Sequence, residues 1–312
     1  MDNSDLGDIK VGVLAGGVSP ERQVSKASAE EVFKSLERSG VRAVYIDIFT
    51  SDVKEVNKLI NVSDIDFAFI ALHGEFGEDG QIQKILEDLE IPYTGSGPRA
   101  SSLALDKIAS KEIFSRNGIF TAPYYLWEDL PQGVEYPLLI KPVYGGSSLG
   151  ISVVRNRSQL KENINLSGFL HNEIFLEKYI EGREFTVGIL ENRALGVVEI
   201  IPIKEYFDFG AKYSDGLVKI ETDFHLEKSV SKKIQEIGLA AHVALGCRHF
   251  SRVDFILDKK NNPVVLEVNS IPGLTSHSLL PVCARCRGME FDDLILKIVR
   301  LGLHEKIQAK KI

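Results

Sequence analysis

Two carboxylates and two further polar residues occupy alternate positions of a predicted β-hairpin near the C-terminal end of the chain. Arg252 and Asp254 lie on its first strand, Glu267 and Asn269 lie on its second, and a polar four-residue turn joins the strands. If the two strands pair symmetrically about the midpoint of this turn, Asp254 faces Glu267 and Arg252 faces Asn269. All four side chains then point to one face of the hairpin. Opposed carboxylates repel unless a cation lies between them. Oxygen ligands without His or Cys suit Mg²⁺ or Mn²⁺, with phosphate or water in the remaining positions.

The other face of this hairpin is apolar, which predicts an element that is buried on one side and faces a cleft or solvent on the other. A solvated polar face at a sheet edge is therefore the alternative to a metal site. The residues predicted on the buried face are Val253, Phe255, Leu257, Val264, Leu266 and Val268.

A second candidate site is the glycine- and serine-rich loop that follows a strand carrying Lys141. The loop runs from Gly145 to Gly150 and contains Ser147 and Ser148, so its backbone N–H groups and hydroxyls could cradle phosphates. It is not a Walker A loop, because Ile151 stands where that motif needs a lysine. A plain hairpin loop is the alternative.

The same loop contains the pattern G-x-S-x-G around Ser148, which is typical of serine hydrolases. That motif requires a strand, a turn and then a helix. The residues after the loop, 151–154, are predicted as a strand, so a serine hydrolase is disfavoured.

Further along the chain, the segment from Glu177 to Glu184 lies between two predicted strands and includes Lys178 and Ile180. A hinge between strands can bind a purine through backbone groups, and the carboxylate of Glu184 could accept hydrogen bonds from ribose hydroxyls. Surface charge is the alternative interpretation of this segment.

Near the N-terminus, two loops follow predicted parallel strands, at the sheet edge where open α/β sheets bind ligands. The first contains Glu21 and the second contains His73. Neither carries the G-x-G-x-x-G pattern, which disfavours a dinucleotide cofactor. A single histidine in a glycine-rich turn is commonly structural, but two loops that converge on one rim favour a site.

The order of predicted elements indicates an α/β protein with an N-terminal parallel-sheet, Rossmann-like domain and a two-part α+β region after it. Strands alternate with helices in the first hundred residues, whereas later strands follow one another closely, as in antiparallel sheets. The predicted divisions are residues 1–98, 99–187 and 188–312. Strands are predicted at 11–15, 41–49, 65–72, 138–142, 151–154, 173–179, 184–190, 195–201, 252–257 and 263–268. Helices are predicted at 25–38, 81–89, 100–117, 230–245 and 291–303.

Composition narrows the class of protein further. The 312 residues include 37 basic and 44 acidic side chains, a net charge of −7, so no overall positive field exists to bind nucleic acid or an anionic membrane. No secretory signal and no apolar run of about 18 residues is present. Three cysteines are an odd and sparse set, which predicts the cytoplasm. The pair Cys283 and Cys286 is predicted to be two free thiols on a helix rather than part of a zinc site.

Taken in order, these motifs resemble the ATP-grasp superfamily and, within it, the D-alanine:D-alanine ligases. The resemblance extends over nearly the whole chain, and its specificity comes from the combination rather than from any one motif. The matching segments are residues 16–22, 73–74, 77–80, 95–97, 105–107, 141–142, 146–148, 177–178, 184–187, 211–213, 252–254, 267–269 and 272–279.

The resemblance implies that ATP phosphorylates the carboxylate of one D-alanine, that the amine of a second D-alanine attacks the acyl phosphate, and that phosphate leaves to give a dipeptide for peptidoglycan. The residues expected to bind the ATP phosphates are Lys107, Lys141, Ser148 and Lys212. Those expected to hold adenine and ribose are Glu177, Lys178, Ile180 and Glu184. Two Mg²⁺ ions, or Mn²⁺, are expected on Asp254, Glu267 and Asn269, where they neutralise charge on the transferring phosphoryl group.

The resemblance also implies a site for each D-alanine. The first ammonium group is expected at Glu21 with His73 nearby, and oxyanion charge is expected at Arg252 and the Gly273 amide. Residues 204–216 are expected to form a lid that excludes water. The residues expected around the second D-alanine and in lid closure are Lys212, Ser278, Leu279, and a network of Glu21, Ser147 and Tyr213.

Tyr213 favours an amine as the attacking group, because relatives that form esters with D-lactate replace this tyrosine. Phe207 in the lid, Glu75-Phe76 and Tyr144-Gly145 depart from the commonest pattern. A ligase that joins D-alanine to D-lactate, a serine hydrolase and a non-enzymatic small-molecule binding protein are the alternatives. The expected partners are D-alanine, ATP and a second copy of the chain, which contacts the first through the N-terminal domain.

Overall fold

The computed structural model describes residues 6–146, 150–167, 173–202 and 218–309, and describes only the backbone of 165–167 and 305–309. Several predicted features lie outside the described residues. These are Ser147, Ser148, and the lid segment with Phe207, Lys212 and Tyr213.

The N-terminal part contains a parallel three-stranded sheet, as predicted. Its strand order is β2-β1-β3, and helices pack against it. The elements are β1 (Lys10–Gly16), α1 (Arg22–Arg38), β2 (Arg42–Ile48), α2 (Val53–Ser63), β3 (Phe67–Ile70) and α3 (Gln81–Asp88). The carboxyl ends of β1 and β3 lie side by side, so the loops that carry Glu21 and His73 leave the sheet at the same edge.

Two antiparallel sheets follow, which confirms the antiparallel pairing predicted from the close spacing of the strands. The first has the order β4-β7-β5-β6 and the second has the order β10-β9-β8-β11-β12. Their strands are β4 (Tyr124–Tyr125), β5 (Leu138–Pro142), β6 (Ser152–Val154), β7 (Ile174–Lys178), β8 (Gly182–Leu190), β9 (Arg193–Pro202), β10 (Val218–Glu221), β11 (Phe250–Asp258) and β12 (Pro263–Asn269). The helices of this region are α4 (Pro98–Leu105), α5 (Lys107–Arg116), α6 (Arg157–Ser167), α7 (Lys228–Ala244), α8 (Leu279–Arg285) and α9 (Phe291–Ala309).

The long helix predicted at 100–117 is in fact two helices, α4 and α5. The break is at Asp106, whose backbone is extended and whose carboxylate accepts a hydrogen bond from the Ala109 N–H at 2.9 Å. An N-cap of this kind starts a new helix, since it satisfies an N–H that has no partner within the helix. The new start directs α5 so that Lys107 and Lys111 are both buried.

The predicted hairpin is β11 and β12, and its pairing differs from the prediction in the half nearer the turn. Arg252 pairs with Asn269 and Asp254 with Glu267, as predicted, but Phe255 then pairs with Val265. A β-bulge places one extra residue on β12 at this point. As a result, Val265 packs in the core position predicted for Leu266, and Leu266 lines a cleft instead.

The C-terminal helices join the N-terminal sheet in one apolar core. Side chains of α9 and of α8 pack in the same buried cluster as those of β1 and α1, and Arg38 and Asp292 form an ion pair between α1 and α9. The division at residues 98 and 187 stays a proposal, and its second boundary falls within β8. Cys283 lies on α8 and Cys286 caps its end, and both are free thiols, as predicted. No helix of the described ranges is long and apolar enough to cross a membrane.

Candidate active site

A cleft of about 270 Å³ opens between the two antiparallel sheets. It brings together most of the residues that the sequence predicts for ATP and metal, although they are far apart in the chain. The predicted residues on its walls are Lys107, Lys141, Glu177, Lys178, Ile180, Glu184, Asp254 and Glu267. The cleft is therefore a single place in which lysines, carboxylates and apolar surface meet.

The walls between the polar groups are apolar. Leu139 on β5, Ile200 on β9, Ile256 on β11 and Leu266 on β12 contribute to this surface. Glu184 is buried on β8, where it lies opposite both Ile200 and Ile256. An apolar slot with a carboxylate at its side suits a purine nucleoside, because the base needs contact area and the ribose needs a hydrogen-bond acceptor.

Buried ion pairs occupy one end of the cleft. Lys141 Nζ lies 2.8 Å from Glu177 Oε2, and Lys111 Nζ contacts the other oxygen of the same carboxylate. Burial alone would raise the pKa of Glu177, but the charges of Lys141 and Lys111 hold that pKa below its usual range. Lys107 Nζ lies 3.7 Å from Glu267 Oε2. Burial lowers the pKa of Lys107, and the charge of Glu267 opposes this effect.

Lys111 is a member of this cluster that the sequence analysis missed. It lies four residues after Lys107, so both lysines point to one face of α5. This spacing was the sequence signal that could have identified Lys111. Lys178 differs from the other three lysines, because its ammonium group is partly exposed and pairs with Glu135 at 2.9 Å.

The carboxylate of Asp254 is held by four donors. Arg252 donates from Nε at 2.9 Å and from Nη2 at 2.7 Å, the Thr186 hydroxyl donates at 2.6 Å, and the Asn269 amide donates at 3.2 Å. The hairpin thus brings Arg252, Asp254 and Asn269 together, as predicted. Thr186 was missed, although its position two residues after Glu184 places both side chains on one face of β8.

The donor set on the hairpin fits a hard divalent cation. Asp254 and Glu267 pair across the two strands, and Asn269 adds an amide oxygen. Among the residues that the structure describes, no group of three His, Cys, Asp or Glu side chains surrounds a common point. Two carboxylates with an amide nevertheless suit Mg²⁺ or Mn²⁺, since these ions take oxygen ligands and complete their coordination with water and phosphate.

Glu21 stands where the two N-terminal loops approach the glycine-rich loop. Its carboxylate oxygens lie 3.4 Å from the point that a Cβ atom on Gly146 would occupy. A Cβ atom on Gly74 would lie 2.8 Å from Glu21 Oε2, and Gly74 also has a φ of +71°. Glycine is therefore needed at Gly74, and the contact with Gly146, which lines the cleft, places the Glu21 carboxylate at its edge.

His73 is buried, and both of its ring nitrogens are engaged within the protein. Nδ1 lies 3.0 Å from the Ile271 carbonyl oxygen, and Nε2 lies 3.0 Å from the Ser28 hydroxyl. The carbonyl can only accept, so Nδ1 carries the proton and Ser28 donates to Nε2. Burial lowers the pKa of His73 to about 4, which keeps the ring neutral. The proximity of His73 to a substrate ammonium stays a prediction.

The loop from Gly273 to Leu279 is fastened to α1 through its backbone. The Leu274 N–H donates to the Ser28 hydroxyl at 3.1 Å, and the Ser276 N–H donates to Glu31 at 2.6 Å. A Cβ atom on Gly273 would lie 2.9 Å from Ser278 Oγ, so this glycine is in close contact with the predicted acceptor residue. Leu279 packs against the core that the N-terminal sheet shares with α9.

Glu78 belongs to the same region and was not predicted as a site residue. It accepts a hydrogen bond from the Gly74 N–H at 2.7 Å and one from the Ile271 N–H at 3.4 Å. It therefore joins the loop after β3 to the loop after β12. Burial raises the pKa of Glu78 to about 8, and the charge of Glu21 adds to this effect.

Two antiparallel sheets that enclose a cleft lined by lysines and carboxylates define the ATP-grasp class of enzymes, and the preceding parallel sheet completes that architecture. Comparison with known proteins identifies the family. A sequence profile described as D-ala D-ala ligase N-terminus matches residues 48–96, and one described as D-ala D-ala ligase C-terminus matches residues 107–300. This chain belongs to the D-alanine–D-alanine ligase family.

Individual relatives agree with the profiles over nearly the whole length. A D-alanine--D-alanine ligase of Geobacter sulfurreducens is 40% identical over 306 residues, which cover 96% of this chain and 96% of that protein. The crystal structure of D-alanine--D-alanine ligase from Bacillus anthracis matches with a TM-score of 0.85 and 34% identity, over 96% of this chain and 99% of the other. A structure of the Bacillus anthracis ligase complexed with ATP matches with a TM-score of 0.82 and 31% identity, over the same shares.

Proposed function

We propose that this chain joins two molecules of D-alanine at the expense of ATP, through an acyl phosphate, to make the dipeptide used in peptidoglycan precursors. The observation that carries the proposal is the cleft, where Lys107 and Lys141 lie at the same end as the Asp254 and Glu267 pair. Cations that bind phosphates and carboxylates that bind a divalent metal ion are both needed where a phosphoryl group is transferred.

ATP would lie along the cleft with its base in the apolar slot. Backbone groups at Lys178 and Ile180 would hold adenine, and Glu184 would accept from the ribose. The carboxylate of Glu177 is directed to Lys141 and Lys111. The phosphates would reach Lys107 and Lys141, and Ser148 and Lys212 are proposed as further phosphate contacts.

Two Mg²⁺ or Mn²⁺ ions would be held by Asp254, Glu267 and Asn269. When bound, such ions neutralise charge on the transferring phosphoryl group. Glu267 Oε2 lies 3.7 Å from Lys107 Nζ and its residue pairs with Asp254 across the strands, so Glu267 would hold metal charge beside a phosphate-binding lysine. Arg252 and Thr186 fix the Asp254 carboxylate in position.

The first D-alanine would bind with its ammonium group at Glu21. Its carboxylate would point toward the end of the cleft that is proposed to hold the ATP phosphates, the phosphate end. Arg252 and the Gly273 amide would donate to the oxyanion that forms when the second D-alanine attacks. Arg252 is buried, which strengthens its effect on a developing negative charge. The Gly273 amide is held in position by the bonds from the neighbouring loop to Ser28 and Glu31.

The second D-alanine would be held by residues of the same loop and of the lid. Ser278 and Lys212 would bind its carboxylate, and Leu279 would contact its methyl group. Ser147, Tyr213 and Glu21 would form the network that closes the lid. A hydrogen-bonded serine and tyrosine can orient an attacking amine and accept its proton at low cost, which favours a dipeptide over an ester with D-lactate.

We also propose a homodimer in the cytoplasm. Phe49 at the end of β2 and Val53 and Val62 of α2 are exposed apolar side chains on the N-terminal domain. A second copy of this chain would cover them. The free thiols of all three cysteines support a reducing compartment. Light scattering after gel filtration tests the dimer, and a monomer at micromolar concentration would contradict it.

One assay tests the activity. Purified protein is incubated with ATP, Mg²⁺ and D-alanine, and ADP, phosphate and D-alanyl-D-alanine are measured together. We expect the three products in equal amounts. Phosphate release that is unchanged when D-alanine is left out would contradict the proposal, because the chain would then be a simple ATPase.

The acceptor is tested by competition between D-alanine and D-lactate from pH 6 to pH 9. We expect mostly dipeptide at neutral pH, and a shift toward ester in Tyr213→Phe, most of all at lower pH where the free amine is scarce. A wild-type protein that makes mostly ester at neutral pH would contradict this assignment.

A further inference from the structure

Lys111 is among the most deeply buried charged residues of the described chain, with 1% of its surface exposed. Its ammonium group donates to the Thr121 hydroxyl at 2.7 Å and to the Ala122 carbonyl at 3.1 Å, and it forms an ion pair with the Glu177 carboxylate. The Thr121 hydroxyl itself donates to the Val265 carbonyl at 2.8 Å, so it can only accept from Lys111. Two hydrogen bonds and one ion pair therefore hold the charged ammonium group.

These contacts also fix where the Lys111 charge can act. Its ammonium group is buried and does not line the cleft, so its effect on a ligand passes through Glu177. The second oxygen of Glu177 binds Lys141 at 2.8 Å, and Lys141 lines the cleft. Glu177 is thus a carboxylate shared by one lysine that faces the cleft and one lysine that does not.

Lys111 determines the net charge of this buried group of side chains. Lys111, Lys141 and Glu177 together carry a net charge of +1. Without Lys111 the remaining pair would be neutral, and the Lys141 charge would be balanced by Glu177 instead of by a ligand. Because the group is buried, water screens these charges weakly.

We propose that Lys111 is a positioning residue that neutralises Glu177, so that the positive charge of Lys141 stays available to the phosphates of a nucleotide in the cleft. This inference rests on the proposed function, in which ATP binds there. Lys111 contacts neither the nucleotide nor the reacting atoms. Its role is to keep a surplus of one positive charge at the phosphate end of the cleft.

A merely structural role predicts something different. The bonds of Lys111 to Thr121 and Ala122 also tie α5 to the segment beside β12, so removal of Lys111 would destabilise the fold under either account. Only the charge account predicts that removing the Glu177 charge as well restores nucleotide binding, since Lys111→Met with Glu177→Gln leaves the +1 of Lys141. The double variant therefore separates the two roles.

The experiment measures the Kd of ATP with Mg²⁺, in the absence of D-alanine, by calorimetry on the full chain, together with urea unfolding. We expect Lys111→Met to raise the Kd about tenfold, equivalent to about 1.4 kcal/mol, and the double variant to bind within about threefold of Glu177→Gln, the single variant that shares its loss of Glu177. The control is Lys259→Met, which removes one charge from an exposed pair with Glu181. It should change the Kd less than twofold.

The possible outcomes distinguish the charge role of Lys111 from a merely structural role. Equal weakening in the single and double variants, following the loss of stability, would overturn the inference. Failure of the wild-type protein to bind ATP would instead contradict the proposed function. If Lys111→Met does not fold by itself, the comparison is made in the Glu177→Gln background, where adding Lys111→Met should change the Kd less than threefold. A tenfold rise of the Kd in that background would overturn the inference.

Discussion

The phosphate end of the cleft and the loops around His73 use opposite means to hold their side chains. At the phosphate end, buried charges hold one another, as Lys141 and Lys111 hold Glu177. Around His73 the contacts are mainly neutral, from the Leu274 N–H to Ser28, from Ser28 to His73, and from His73 to the Ile271 carbonyl. A nucleotide phosphate needs net positive charge, whereas a developing oxyanion needs amides fixed in place.

The difference has an energetic reason. Buried charges cost several kcal/mol each in desolvation unless they are paired, so the charged end depends on complete pairing and is sensitive to any loss of charge. Neutral hydrogen bonds contribute about 1 kcal/mol each, so the loss of one bond from the network around His73 should cost less free energy. Substitutions in the two regions should therefore differ in size and in the kinetic constant that changes.

The largest effect is expected for Glu267→Gln at the charged end. The change removes a proposed metal ligand and the partner of Lys107 at 3.7 Å, and should lower turnover by a factor on the order of a thousand, that is by several kcal/mol of transition-state stabilisation. Turnover is measured with circular dichroism as the check of folding. A folded variant with most of the wild-type rate would mean that the hairpin is only a polar face.

Arg252→Lys should have the next largest effect. Lysine keeps the charge but cannot make both bonds to Asp254 or present the same donor to an oxyanion. We expect kcat to fall about a hundredfold, in the range for loss of an oxyanion donor. Arg22→Lys is the matched control, because Arg22 makes a similar paired contact with Asp47 outside the cleft. Similar kcat values for the two variants would rule out this role of Arg252.

Ser28→Ala tests the neutral region. The change removes the donor to His73 and the acceptor of the Leu274 N–H. Loss of the two bonds should lower kcat about tenfold through the position of the Gly273 amide, with the Kd of ATP unchanged. The control is Ser35→Ala, a second buried serine of α1. An increase in the Kd of ATP for Ser28→Ala would show that the two regions are not independent.

The smallest effect concerns the pH dependence of stability. His73 has a folded-state pKa of about 4 against an ordinary value of 6.5, so the unfolded chain binds the extra proton between these values and stability falls as pH drops through this window. At pH 5.5 the loss is about 1 kcal/mol relative to pH 7.5. Glu78, with its raised pKa of about 8, acts in the opposite direction.

His73→Gln should remove this contribution, while the contribution of Glu78 is common to both proteins. Lowering the pH from 7.5 to 5.5 should therefore raise the free energy of unfolding of His73→Gln by about 1 kcal/mol relative to that of wild type. Urea unfolding at the two pH values provides the measurement. His277→Gln is the control, since His277 is exposed. A pH dependence of stability in His73→Gln equal to that of wild type would contradict a buried neutral ring.

Most strands could be predicted because their apolar runs are long and their turns are polar. The polar face of the hairpin near Asp254 was predicted for the same reason, since side chains alternate regularly from Arg252 to Asp254 and from Glu267 to Asn269. The bulge at Leu266 could not be predicted, because one additional residue on β12 leaves the apolar pattern nearly unchanged. As a consequence Leu266 was assigned to the core, although it lines the cleft.

The helices α2 and α6 and the short strands β4 and β10 were not predicted, since each is short or has a weak pattern. Lys111 was missed for a different reason. Its spacing from Lys107 indicates only a shared helix face, and its role depends on Glu177, which lies 66 positions later and meets it only after the sheets form. Long-range pairs of this kind are determined by topology and not by local pattern.

The most direct test of the reaction uses D-alanine labelled with ¹⁸O in its carboxylate. If ATP phosphorylates that carboxylate, one labelled oxygen passes to the phosphate when the amine of the second D-alanine displaces it. We expect one ¹⁸O atom in each phosphate released, measured by mass spectrometry, with dipeptide formed in equal amount. Phosphate without label would contradict ligation through an acyl phosphate.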